Sequence, residues 1–135
     1  RAGAPPVHRR RRGPSTREAV RQSRLIGQVM SVLAAAYGPA FDPDAIDAAR
    51  FATHLRYFLT RTRTGAQVVD STADVIGAAL RDARPHAYQV ALRVQELLEL
   101  RLGTTVCEDE TAYLTMHVAR FEQSLGPAPP GCNDG

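Results

Sequence analysis

Two histidines stand where imidazole could do chemistry. His54 follows Phe51 by three residues and precedes Phe58 by four, with Arg50 four before it and Arg61 seven after it. His117 has Tyr113 and Leu114 before it and Phe121 after it, with Glu110 seven before and Arg120 three after. On a helix these spacings return to one stripe, so each imidazole lies at the border of an apolar face with guanidinium groups one or two turns away. An imidazole with a pKa of about 6.5 is mostly neutral near physiological pH and is a nucleophile without further activation. A phosphoryl group gained there adds up to about two negative charges, which arginines hold in charge-assisted hydrogen bonds. The same pattern also suits two partly buried histidines that only pack. Local spacing does not choose between these two readings.

The elements that would carry the histidines are helical. "STRE" at Ser15 has the form of a capping box, and Leu25, Val29, Val32 and Ala36 follow it at helical spacing up to Gly38-Pro39. Asp42-Pro43 reads as a second helix start, with the helix running to about Thr62. "STAD" at Ser71 opens a third helix to about Arg81, and Pro85 and Gly103 bracket a fourth whose apolar residues cover more than one face, as suits a central helix. "TVCE" at Thr105 is a weaker capping box before a fifth helix, on which Ala112, Tyr113, Val118 and Phe121 form the apolar face. Apart from the short "AQVV" after Gly65, nothing alternates with period two, so the expected fold is an all-α, compact five-helix bundle.

Composition agrees with one globular domain: 135 residues, 44% hydrophobic and 23% charged. The net charge of +3 is concentrated in "HRRRR", where Arg9, Arg10, Arg11 and Arg12 lie among glycines and prolines; removing those four charges leaves the remainder at −1. Residues 1–14 are therefore expected to be a flexible basic segment or interdomain linker, 15–125 the helical domain, and 126–135 a flexible tail. No apolar run is long enough for a membrane span and no apolar block follows the basic start, so a cytoplasmic protein without a signal peptide is expected. A chain that begins at Arg1 is expected to be a domain of a longer protein. Cys107 and Cys132 form no CxxC pair and have no histidine at ligand spacing, so both are read as free thiols and no metal or cofactor is expected.

At this point the chain resembles a known family, the PTS regulation domain (PRD) of bacterial transcription antiterminators of the BglG/SacY/LicT type. "RFATHLRYFLTR" is similar to the family's first histidine motif, "EDETAYLTMHVARF" to its second, and "RPHAYQVALRVQELLELRLG" to the helix before the second. The wording "THLRYF" is most like the second of the two tandem PRDs that family members carry. The resemblance implies phosphorylation of His54 and His117, with Arg50, Arg61 and Arg120 supporting the phosphate. It implies a homodimer, with the phosphocarrier HPr as donor and sugar-specific enzyme II as a further input, and RNA binding only through a domain absent from this chain. Departures are Cys107, where the family often has proline, and the arginine-rich lead-in. His8 and His86 receive no role, and Tyr113 reads as core.

Three functional classes follow from this. The first is a phosphorylation-controlled regulatory domain of a transcriptional regulator, antiterminator or DNA-binding activator. The second is weak nucleic-acid binding by Arg9 to Arg12, with salt-dependent phosphate contacts. The third, an enzyme, is not expected: there is no Gly-rich phosphate loop, GxSxG or HExxH, and Asp42/Asp44 and Glu108/Asp109/Glu110 read as helix-start charges.

Overall fold

The computed structural model describes residues 15–65 and 71–126, residues 71–74 by their backbone only. The described residues form five α-helices and no strand: α1 (Thr16–Tyr37), α2 (Ile46–Arg63), α3 (Ser71–Ala83), α4 (Pro85–Leu102) and α5 (Glu108–Ser124), with a 3₁₀ turn (Gly38–Ala40) after α1. The basic lead-in with His8 and Arg9 to Arg12, the "AQVV" stretch, the tail after Gly126 and Cys132 lie outside the described residues.

α1 begins as its sequence dictates. Ser15 Oγ accepts from Glu18 N–H at 3.2 Å and Glu18 returns to accept from Ser15 N–H at 2.8 Å, so two backbone donors at the helix start are satisfied reciprocally. α1 ends at Gly38, whose φ of 58° lies in the left-handed half of conformational space that glycine enters without strain. Gly103, at φ 68° and ψ 28°, ends α4 in the left-handed helical conformation.

Two helix starts differ from expectation. Asp42 caps no helix: its carboxylate accepts from Asp44 N–H at 2.9 Å and its carbonyl from Ala45 N–H at 3.1 Å, so Asp42-Pro43 is a turn and α2 starts only at Ile46. α5 has Cys107, not Thr105, at its N-cap, without a side-chain cap, and its first turn gathers Glu108, Asp109 and Glu110 at the positive end of the helix dipole.

The core is the meeting of α4 with α1 and α5, closed on one side by α2. Val90, Ala91, Val94 and Leu98 of α4 are fully buried, as are Val29 and Leu33 of α1 and Val118 of α5. α4 is thus the central helix, and its broad apolar surface is used. α3 packs on α5, where Gly77 lets the two backbones approach: a Cβ at Gly77 would stand 3.0 Å from Ala112 Cβ. α2 lies along α5 through Phe51, Leu55 and Phe58, and Phe51 meets the ring of Phe121 at 6.3 Å. That α2–α5 contact carries both histidines.

Candidate functional site

His54 on α2 and His117 on α5, which are 63 positions apart in the chain, come ring to ring. Their centroids are 4.1 Å apart and the planes differ by 17°, a stacked pair at the half-buried edge of the helix contact. Phe51, Leu55 and Phe58 on one side, with Leu114, Val118 and Phe121 on the other, form the buried layer beneath it. The rings therefore have little freedom to part without disturbing the packing of two helices.

The electrostatics of the pair follow from that position. Burial pushes the His117 imidazolium down to a pKa of about 4, with further contributions from His54, Arg120 and Arg61. His117 is thus a neutral imidazole at physiological pH, with a lone pair free of a proton on one ring nitrogen.

Two cavities adjoin the pair. One, of about 360 Å³, is lined by both histidines with Tyr57, Arg61, Glu110 and Tyr113. The other, of about 30 Å³, is lined by both histidines with Asp47, Arg50 and Arg120. All three arginines singled out from the sequence thus border the histidine pair, but they are differently engaged. Arg50 is largely exposed and holds Asp47, one turn back, at 3.2 Å. Arg120 is exposed and without an ion pair among the described residues. Arg61 is bound to Glu110 by two parallel hydrogen bonds, Nη2 to Oε1 at 2.8 Å and Nε to Oε2 at 3.2 Å.

Glu110 is a correction to the sequence reading. It is not only a helix-start charge but a carboxylate 1% exposed, held in a fork by a guanidinium from another helix. The hint in the sequence was its place seven residues before His117, two turns back on the same stripe. What the stripe could not name is the partner, 49 positions away on α2.

The other singled-out residues lie elsewhere. His86, exposed in the first turn of α4, meets the edge of Tyr37 at 5.2 Å, and Tyr37 donates to Glu122 at 2.9 Å. Cys107 is half-buried and forms no disulfide among the described residues. Tyr113 is half-buried and lines the larger cavity, so it is a wall of the site as well as a packing residue. Among the described residues no group of side chains is arranged to hold a metal ion, and no helix is long and apolar enough to cross a membrane.

The family described as PRD domain matches residues 28–121, a span that includes both histidines. The chain is 30% identical over 110 residues to Protein GlcT of Staphylococcus saprophyticus, covering 82% of this chain and 38% of that protein. It is 24% identical to the transcription antiterminator LicT of Bacillus subtilis, covering 73% of this chain and 35% of that protein. It is 23% identical to the beta-glucoside operon antiterminator of Dickeya chrysanthemi, covering 80% and 38%. The chain thus spans little more than a third of the length of these relatives. No solved structure matches it.

Proposed function

The chain belongs to the PRD domain family, and from that premise we propose that it is the regulatory domain of a transcription antiterminator, switched by phosphorylation of His54 and His117. The observation that carries this reading is the stacked imidazole pair, at least one ring of it neutral, bordered by Arg50, Arg61 and Arg120. Two of the relatives are named as antiterminators, which favours that class of regulator over a DNA-binding activator.

The chemistry is a transfer between imidazoles. A ring nitrogen of His54 or His117 attacks the phosphorus of a phosphohistidine on the phosphocarrier HPr. A new N–P bond forms, the donor N–P bond breaks, and its electron pair returns to the donor imidazole. A neutral nucleophile is needed, and the depressed pKa of His117 supplies it. The incoming phosphoryl brings up to about two negative charges to a pair that has Arg61 in the cavity on one side and Arg50 and Arg120 in the cavity on the other, each able to donate charge-assisted hydrogen bonds of about 1.5–3 kcal/mol. Arg61 is the contested one, because Glu110 already holds it. A phosphoryl group competes with that carboxylate, and the α2–α5 contact is where the competition is felt.

Control of the attached nucleic-acid-binding domain then follows as a shift among dimer arrangements, since added charge on a helix face must be met by arginine or push faces apart. Sugar-specific enzyme II components are a second source of input, the domain is expected to act as a homodimer in the cytoplasm, and RNA is contacted by a domain other than this one. Sedimentation of the protein before and after incubation with phosphorylated HPr tests the switch. A changed monomer–dimer distribution in the native chain, absent in the His54→Ala/His117→Ala variant, is expected; the same distribution in all four samples would contradict it.

A further inference from the structure

Another cavity lies away from the histidines and shares no lining residue with either cavity beside them. It measures about 540 Å³ and is formed by the first half of α1, the end of α2 and the end of α4. Four of its lining residues are arginines: Arg21 and Arg24 from α1, Arg63 from α2 and Arg101 from α4. None of the four has a carboxylate within ion-pair distance among the described residues. Glu18, the acidic group on the rim, is taken up in the capping box with Ser15, and its pKa is lowered first by that backbone hydrogen bond and further by Arg63 and Arg21.

Helix electrostatics account for part of this. Arg63 and Arg101 stand in the last turns of their helices, where a cation complements the exposed carbonyls. Arg21 and Arg24 stand in the first half of α1 and gain nothing from that effect. Four like charges bordering one concavity repel one another, while the chain outside its basic lead-in has no cationic surplus to scatter. The floor is apolar, with Leu25, Leu59 and Leu102. On the wall, the Thr62 hydroxyl is buried and has no hydrogen-bond partner among the described residues. Rotation about its χ1 exchanges hydroxyl and methyl and would offer the hydroxyl to a bound acceptor.

We propose that this cavity binds a small, multiply charged phosphate compound, held by Arg21, Arg24, Arg63 and Arg101. Guanidinium groups match phosphate oxygens in a bidentate fork, and several of them around one concavity suit two or more phosphates in series. The volume is that of a small-molecule site and leaves room over the leucines for an organic part. The assignment does not rest on the histidine pair.

Titration calorimetry with tripolyphosphate and, separately, ATP, at fixed ionic strength, tests it on the chain as it stands. Saturable one-to-one binding is expected, weakened at least about tenfold, or about 1.4 kcal/mol, in Arg24→Gln/Arg101→Gln. Arg93→Gln, which removes a charge on an exposed part of α4 outside the cavity, should leave the affinity unchanged. ATP binding more tightly than tripolyphosphate would assign the leucine floor to an organic group, and equal affinities would assign the site to phosphate alone; both support the cavity as the site. Absence of saturable binding overturns the proposal, as does equal weakening by Arg93→Gln, the mark of diffuse charge. A single-stranded RNA that binds far more tightly than either probe, and is lost in Arg24→Gln/Arg101→Gln, overturns it in favour of a nucleic-acid surface. His54→Ala/His117→Ala should bind both probes normally, so failure here and failure of the phosphorylation switch can be told apart.

Discussion

Replacing Arg61 by alanine removes a guanidinium that makes two hydrogen bonds to a carboxylate 1% exposed. Breaking a fully buried ion pair by deleting one partner costs about 3–5 kcal/mol, because the remaining charge keeps its desolvation without its partner. The Arg61 side chain is 36% exposed, so water can reach part of the space it leaves and the expected loss is smaller, about 2–4 kcal/mol. With a urea slope of about 2 kcal/mol/M, the middle of the range for a small domain, the unfolding midpoint should fall by roughly 1–2 M. Arg61→Leu combined with Glu110→Leu removes both charges and should return to within about 1 kcal/mol of the native chain, since apolar replacement of a whole buried pair is often neutral. Urea unfolding followed by far-ultraviolet circular dichroism on native, single and double variants gives the coupling energy. A loss below about 0.5 kcal/mol in Arg61→Ala, the worth of a surface pair, would refute the picture of a buried fork. So would a double variant that loses the sum of the two single losses. The result matters for switching, because a phosphoryl group that draws Arg61 away from Glu110 meets the same free energy.

Other outcomes follow from the same geometry. Gly77→Ala places a Cβ 3.0 Å from Ala112 Cβ and should cost about 1–3 kcal/mol in thermal or urea unfolding, with Ala112→Gly in the same chain restoring part of it. His117 has a folded pKa of about 4 against an unfolded value of 6.5, so the unfolded chain binds the extra proton between those limits. The stability that His117 contributes is therefore present above pH 6.5 and is lost as pH falls toward 4. The full shift corresponds to about 3 kcal/mol, reduced to about 1–2 kcal/mol by its partial exposure, and His117→Gln should flatten the urea midpoint over that window relative to the native chain. Ser15→Ala opens the capping box at the start of α1 and should lower stability by about 1 kcal/mol in urea unfolding.

What the sequence made legible was local. Helical spacing placed five helices in order, Ser15 and Glu18 announced the start of α1, and Pro85 and Gly103 bracketed α4, because caps and periodicity act within one or two turns. Asp42 shows the limit of such signals: an aspartate before proline suits a cap or a turn, and here the carboxylate closes a turn on Asp44 before the helix begins. The histidine site was legible in its parts, since His54 and His117 each showed an apolar border and nearby arginines. Their stacking was not, because it depends on how α2 lies along α5. Glu110 was legible as a helix-start charge but not as half of an ion pair, its partner being on another helix. Gly77, an ordinary helix-interior glycine in sequence, acquires its reason only when Ala112 arrives from α5.

Phosphoryl acceptance by the stacked imidazoles, as proposed above, is open to direct test. Incubation with phosphorylated HPr, followed by peptide mapping under conditions that preserve phosphohistidine, should place the label on His54, His117 or both, and His54→Ala/His117→Ala should take none. An unlabelled native chain, or label that persists in the double variant, would contradict the account.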